Sequence, residues 1–97
     1  METEENQVWE VHAIFHGRVQ GVFFRANTVD IAKAQALTGT VKNVHDGTVE
    51  VFAQGSKRAL ENFIDLLSGP DGPGHVTHVV THYHPAAVLF EEFKIIY

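Results

Sequence analysis

The stretch Thr40–Leu67, TVKNVHDGTVEVFAQGSKRALENFIDLL, carries the strongest structural signals in the sequence. Two runs rich in β-branched residues, Thr40–His45 and Thr48–Gln54, are joined by Asp46-Gly47. Asp-Gly between such runs is typical of a β-hairpin, and it favours a type I′ turn, which needs a positive φ at both central positions. The stretch therefore predicts two antiparallel strands joined by a tight turn.

A helix is predicted directly after the hairpin. Ser56 suits its N-cap, because a serine hydroxyl can accept a hydrogen bond from a backbone N–H of the first turn. The apolar residues that follow have the i, i+3, i+4, i+7 spacing of a single helix face. They are Leu60, Phe63, Ile64 and Leu67. The glycine- and proline-rich residues 69–74 end this helix in a rigid loop.

Three more strands and one more helix complete the predicted order. Each strand is a run of alternating or β-branched apolar residues, and the helix is an alanine-rich run that ends near Gly39. The predicted strands are Val8–Phe15, Val76–Tyr83 and Phe90–Tyr97, and the predicted helix is Phe23–Leu37. The first six elements have the βαββαβ order, and one further strand follows them. This order predicts an α+β, ferredoxin-like sandwich, in which both helices cover one face of an antiparallel sheet.

The length and composition narrow the classes of protein that the chain can represent. Its 97 residues suit a single domain, predicted at residues 8–97 behind a polar, acidic tail at residues 1–7. The absence of cysteine excludes disulfides, thiolate metal sites and a cysteine nucleophile. A net charge of −5 argues against a nucleic-acid or anionic-membrane surface.

The sequence also lacks signals for export or membrane insertion. No apolar run approaches the about 18 residues of a membrane span. The N-terminal residues are acidic, unlike a targeting segment. We therefore expect a cytoplasmic protein. Our working expectation for its oligomeric state is a monomer.

The segment Gly17–Arg25, GRVQGVFFR, joins the first strand to the first helix and is a candidate phosphate-binding loop. Gly17 and Gly21 let the backbone curl so that consecutive N–H groups face one concavity, and the helix N-terminus adds more of them. Arg25 can grip phosphate oxygens in a bidentate manner. On spacing alone, a plain turn with a solvated arginine explains the segment equally well. It matches no Walker, dinucleotide or cysteine-based phosphate loop.

Two segments resemble the signatures of the acylphosphatase family. Gly17–Arg25 is similar to G-x-V-Q-G-V-x-F-R, and Gly39–Val49, GTVKNVHDGTV, is similar to G-[FYW]-[AV]-x-N-x-x-[DK]-G-[ST]-V. The resemblance extends over nearly the whole chain. Thr40 differs from it, since the family usually has an aromatic residue there, and Val44 stands where some members have threonine.

The resemblance implies hydrolysis of acyl phosphates to a carboxylate and inorganic phosphate, with no metal or other cofactor. It implies that Arg25 binds the phosphoryl group and that Asn43 orients the attacking water. The residues implied for the phosphate cradle are Gly17, Arg18, Val19, Gln20, Gly21 and Val22. Gln20 either braces this loop against the hairpin or faces solvent, and the carboxylate of Tyr97 is a candidate partner of Arg25.

Three other interpretations of the sequence compete with this one. Seven histidines raise the question of a metal site, and His78, His82 and His84 share one strand parity, but no carboxylate lies among them. An RNA-recognition module of the same fold would need basic character and an aromatic RNP pattern, and the sequence has neither. A non-catalytic module that binds acyl or carbamoyl phosphate is the alternative closest to the enzyme.

Overall fold

Five strands and two helices form in the predicted order. The computed structural model describes residues 7–97, so the predicted tail at residues 1–7 lies, except for Gln7, outside the described residues. The strands are β1 (Trp9–Arg18), β2 (Thr38–Asn43), β3 (Val49–Gly55), β4 (His75–Pro85) and β5 (Phe93–Ile95). The helices are α1 (Phe24–Ala34) and α2 (Lys57–Ser68).

The strands form one sheet in the order β4-β1-β3-β2-β5. The ladders β1–β3, β1–β4 and β2–β3 are antiparallel, as predicted. The ladder between β2 and β5 is parallel, so the sheet is mixed rather than antiparallel throughout. The reason is that the chain reverses after β4 and crosses to the far edge, where it runs in the same direction as β2. The ferredoxin-like class itself is confirmed.

One hydrophobic core lies between the sheet and the helices. One face of β1, formed by the alternating residues Val11, Ala13 and Phe15, is completely buried. The predicted apolar face of α2 is buried with it, and the two helices contact each other over the same side of the sheet. Ser56 caps α2 as predicted, since its hydroxyl accepts a hydrogen bond from the N–H of Ala59 at 3.1 Å. Within residues 7–97 no helix has the length and apolar character needed to cross a membrane.

The first helix ends earlier than predicted. Ala36 adopts a left-handed conformation with φ 57°, and the N–H of Leu37 bonds back to the carbonyl oxygen of Ala32 at 2.9 Å. These are features of a Schellman motif, which stops the helix without glycine. Gly39 belongs instead to β2, where a Cβ would lie 1.8 Å from the carbonyl oxygen of Phe52. It is therefore required by the close approach of β3 and not by the helix end.

The hairpin forms as predicted, but its turn is not of type I′. The turn is closed by a hydrogen bond from the N–H of Gly47 to the carbonyl oxygen of Val44 at 3.0 Å. Gly47 has a φ of 95°, whereas Asp46 does not have a positive φ. Asp46 instead accepts hydrogen bonds from the N–H and the hydroxyl of Thr48, at 3.0 and 2.6 Å. This local carboxylate bond favours a longer turn, in which only the glycine is left-handed.

The last strand is shorter than the predicted Phe90–Tyr97. Residues 86–92 cross the face of the sheet that the helices leave open, and Gln54 holds them there. The Gln54 side chain, only 2% exposed, donates to the carbonyl oxygen of Val88 at 2.6 Å and accepts from the N–H of Phe90 at 2.9 Å. Residues 90–92 were predicted to belong to the last strand. Phe90 bonds to the Gln54 side chain instead of pairing with a neighbouring strand, and β5 begins only at Phe93.

Candidate active site

The base of the glycine loop is built into the sheet. β1 extends through Gly17 and Arg18, which pair with Val76 and His75 of β4, so the loop proper begins at Val19. Gly17 has a φ of 122°, and a Cβ there would lie 2.2 Å from the carbonyl oxygen of His75. The strand β4 thus approaches so closely that only glycine fits, and this fixes where the loop leaves the sheet.

A single side chain fixes the middle of the loop. The Nε2 group of Gln20 donates to the carbonyl oxygens of Val44 and Thr48, at 2.7 and 2.8 Å. Both acceptors belong to the β2–β3 hairpin, on either side of its turn. Two roles were considered for Gln20, and the structure shows the first of them: its side chain bonds the loop to the hairpin and does not face solvent.

The backbone of the loop and of the first helical turn is rich in unpaired donors. Within residues 7–97, the N–H groups of residues 20–26 form no hydrogen bond with another residue. The N-cap of α1 is Phe23, which offers no capping side chain, and the first turn holds no acidic residue. Unpaired N–H groups and the positive end of a helix dipole together favour an anion at this end of α1.

Arg25 is the second residue of α1 and is half-buried. Its Cζ atom lies 5.4 Å from the centroid of the Tyr97 ring, a distance typical of a cation–π contact. Among residues 7–97 both ion pairs involve histidine, so Arg25 forms none with a described carboxylate, including that of Tyr97. The predicted carboxylate contact is therefore replaced by contact with the aromatic ring, and the guanidinium donors face no acidic competitor there.

Asn43 is the last residue of β2, next to the hairpin residue that Gln20 holds. Its Oδ1 atom is buried and has no hydrogen-bond partner within residues 7–97. A half-turn about the Cβ–Cγ bond exchanges the oxygen and the nitrogen of an asparagine amide, so either group can face a ligand. Asn43 thus has hydrogen-bonding capacity that the surrounding protein leaves unused.

Arg25 and Asn43 line the same cleft, which has a volume of about 290 Å³. Of the predicted cradle residues, Val19, Gln20 and Gly21 also line it, whereas Gly17, Arg18 and Val22 do not. Val22 packs against the core instead. The lining residues that the sequence did not indicate as site residues are Phe23, Phe24, Ala26 and Ile95. Ile95 could not be found from local patterns, because only the parallel pairing of β5 with β2 brings it to the cleft.

The histidines lie mainly on the open face of the sheet and have separate partners. His12 bonds to Glu50 at 2.8 Å, and His84 lies 3.3 Å from Glu10. The ring of His78 stacks on that of His16, with centroids 4.0 Å apart. Within residues 7–97 no three histidine, aspartate or glutamate side chains are grouped so that they could hold a metal ion.

Two titratable groups have clearly shifted pKa values. The hydroxyl and the backbone N–H of Thr48 lower the pKa of Asp46, with smaller contributions from His45 and His16. The charged carboxylate therefore stabilises the hairpin turn beside the Gln20 brace. Burial, together with Glu61 and Asp65, raises the pKa of Tyr83, which lies on β4 and does not line the cleft.

Comparison with known proteins agrees with the fold. The acylphosphatase family model matches residues 11–95. An acylphosphatase of Mycolicibacterium vanbaalenii is 50% identical over 68 residues, which cover 70% of this chain and 73% of that protein. An acylphosphatase of Lactobacillus gasseri is 44% identical over 82 residues, covering 84% and 90%. The crystal structure of the acylphosphatase from Bacillus subtilis matches with a TM-score of 0.82 at 33% identity, covering 92% of this chain and 99% of that one.

Fold and site together define a ferredoxin-like protein with an anion-binding geometry at a strand–loop–helix junction. The similarity to known acylphosphatases identifies the family within this class of protein. The chain belongs to the acylphosphatase family, and it is a hydrolase of that family.

Proposed function

We propose that the chain hydrolyses acyl phosphates by direct attack of water on a phosphoryl group held in the cleft. The observation that carries the proposal is the position of Arg25 and Asn43 on one cleft, with the loop and the hairpin tied together by Gln20. An anion-binding group and a free amide are thereby held at a fixed separation. A reaction that needs positioning more than chemical activation suits such a site.

The phosphoryl group binds at the N-terminal end of α1 in this proposal. Its oxygens accept hydrogen bonds from the N–H groups of the loop, and the guanidinium of Arg25 binds them from the helix. Negative charge on these oxygens is spread in the transition state of phosphoryl transfer, so donors already in place stabilise it without reorganisation. The lack of acidic residues in the first turn of α1 supports this assignment.

Asn43 positions the nucleophile. Its amide accepts a hydrogen bond from a water molecule and aligns it opposite the bond to the acyl oxygen. The water oxygen forms a bond to phosphorus, the bond from phosphorus to the acyl oxygen breaks, and the carboxylate leaves with the electron pair. Both protons of the water remain with the inorganic phosphate, or one of them passes to solvent. A carboxylate is a good leaving group, so the step needs no strong general acid, and the proposal includes no metal and no covalent intermediate.

The remaining parts of the proposal concern the domain, its location and its partners. We propose that residues 8–97 act as one domain, that the protein works as a cytoplasmic monomer, and that no nucleic acid or membrane takes part. Val44 has no hydroxyl to offer the water or the product. Its carbonyl oxygen accepts a hydrogen bond from Gln20, so we assign Val44 a role in holding the loop instead.

Phosphate release from acetyl phosphate and benzoyl phosphate tests the proposal, with and without the chelator EDTA, using R25A as the inactive control. We expect hydrolysis by the unmodified protein at millimolar substrate, equal in both conditions and lost in R25A. Binding of acyl phosphate without turnover would instead support the non-catalytic module. Hydrolysis that EDTA abolishes would support a histidine metal site.

A further inference from the structure

Phe23 combines two unfavourable properties at one position. Its side chain is 82% exposed, although it is a large apolar group next to the buried Phe24. Its backbone is left-handed, with φ 60° and ψ 23°. This conformation is uncommon for a bulky side chain, and glycine would adopt it with less strain. Neither property contributes to the stability of the fold.

The backbone of Phe23 is nonetheless firmly held. Its carbonyl oxygen accepts two hydrogen bonds from Asn27, one from the backbone N–H and one from the side-chain Nδ2, both at 3.0 Å. The neighbouring side chains point elsewhere, since Val22 packs against the core and Phe24 is buried within it. The local structure therefore fixes the position of Phe23 while leaving its ring out of the core.

The ring of Phe23 stands at the cleft that holds Arg25 and Asn43. Ile95, also on the lining, is half-buried, and the ring of Tyr97, 92% exposed, lies over the Arg25 guanidinium. The cleft thus has two chemical characters: a part rich in N–H donors and positive charge, and apolar side chains beside it.

A substrate bound by its phosphoryl group keeps its acyl group within a few bonds of the donors, because a single bridging oxygen joins the acyl group to phosphorus. Phe23 lines the same cleft as Arg25, so an acyl group bound there lies near the Phe23 ring. An apolar acyl group placed against Phe23 would remove apolar surface of both partners from water. A small polar acyl group would gain little there.

We propose that Phe23 is a specificity-determining residue, which contacts the acyl portion of the substrate and favours acyl phosphates with aromatic or extended aliphatic acyl groups over acetyl phosphate. This inference rests on the proposed function, since it concerns selection among acyl phosphates at the same site. Phe23 takes no part in the bond-breaking step. It acts on the relative kcat/KM of competing substrates.

The test measures kcat/KM for benzoyl, butyryl and acetyl phosphate with the unmodified protein and the variants F23A, F23G and F23L. The matched control is A36G, because Ala36 is the other non-glycine residue of positive φ within residues 7–97 and lies at the opposite end of α1. The F23A and F23G variants both remove the ring, but only F23G also relieves the backbone strain. Thermal unfolding of each variant monitors the fold.

We expect the ratio of kcat/KM for benzoyl phosphate to that for acetyl phosphate to fall about tenfold in F23A and F23G, as for the loss of an apolar contact in a binding pocket. Butyryl phosphate should show a smaller decrease, F23L should restore part of the preference, and A36G should leave the ratio unchanged. Inhibition by inorganic phosphate, which lacks an acyl group, should be the same in F23A as in the unmodified protein.

Two results would overturn the inference, and they differ from a failure of the proposed function. A benzoyl-to-acetyl ratio unaffected in F23A would show that the ring does not contact the acyl group. A change in F23G alone would assign the effect to loop flexibility. If the unmodified protein hydrolyses none of the three substrates, the proposed function fails and this inference loses its basis with it.

Discussion

The Nε2 atom of Gln20 lies 2.7 Å from the carbonyl oxygen of Val44, the residue directly after Asn43. A second bond to the carbonyl oxygen of Thr48, at 2.8 Å, anchors the same amide to the other side of the turn. The loop that leads to Arg25 is thus attached to the hairpin that carries Asn43. Two groups from distant parts of the chain are held together by one side chain.

The first prediction concerns this brace. Replacement of Gln20 by leucine keeps the approximate volume and removes both hydrogen bonds. We expect kcat/KM for benzoyl phosphate to fall at least about tenfold, because small displacements between reacting groups are costly. Stability should fall by only about 1 kcal/mol, since both carbonyl oxygens keep a backbone partner. Steady-state kinetics and urea unfolding measure the two effects.

The control for Q20L is N62A. Asn62 also donates a side-chain amide hydrogen bond, to the Oε1 atom of Gln35 at 3.2 Å, but on the exposed surface away from the cleft. We expect its kinetics to match those of the unmodified protein. Equal losses of activity in Q20L and N62A would argue against a specific role for the brace.

The second prediction separates the roles of Arg25 and Asn43. R25A should lose phosphate binding and turnover together, because the guanidinium is the main positive charge assigned to the phosphoryl group. N43A should bind inorganic phosphate with nearly unchanged affinity, while kcat falls by about 100-fold or more, as when one preorganised polar group is removed. Titration calorimetry with inorganic phosphate and single-turnover kinetics make the comparison. Weak phosphate binding by N43A would contradict the division of roles.

The third prediction concerns the contact between Arg25 and the ring of Tyr97. An exposed cation–π contact is worth about 0.5–1 kcal/mol, so Y97A should raise KM by about two- to fivefold with little change in kcat. Y97F keeps the ring and should behave like the unmodified protein. If Y97A and Y97F give the same KM, the ring does not orient the guanidinium.

The elements that the sequence predicted well are those determined by neighbouring residues. The buried face of α2 follows from the spacing of Leu60, Phe63, Ile64 and Leu67, and the cap follows from Ser56. The hairpin follows from Asp46-Gly47, although the turn type does not. There, a hydrogen bond between Asp46 and Thr48 determines the backbone, and such a competing local bond is not apparent from the dipeptide.

The features that the sequence did not predict depend on contacts between distant segments. Nothing near Phe93–Ile95 indicates a parallel ladder with β2, and Ile95 reaches the cleft only through that ladder. The sequence also left open whether Gln20 braces the loop or faces solvent. Its acceptors are backbone carbonyl groups. Because every residue has such a group, the sequence does not indicate which ones Gln20 contacts. Two motifs indicated Arg25 and Asn43, which the structure brings to one cleft. The apolar side chains of that cleft could be identified only from the folded chain.

The last prediction compares two glycines of the segment Gly17–Arg25 that share a positive φ but differ in their surroundings. A Cβ at Gly17 would lie 2.2 Å from the carbonyl oxygen of His75, whereas a Cβ at Gly21 would have nothing within 4 Å. G21A therefore adds only backbone strain, and we expect it to lower the free energy of unfolding by about 1–2 kcal/mol. G17A must in addition push β4 away from β1, so its loss should be clearly larger and should include part of the activity. Urea unfolding of both variants, with kinetics on benzoyl phosphate, measures the difference; equal stability losses would show that the approach of His75 does not restrict this position.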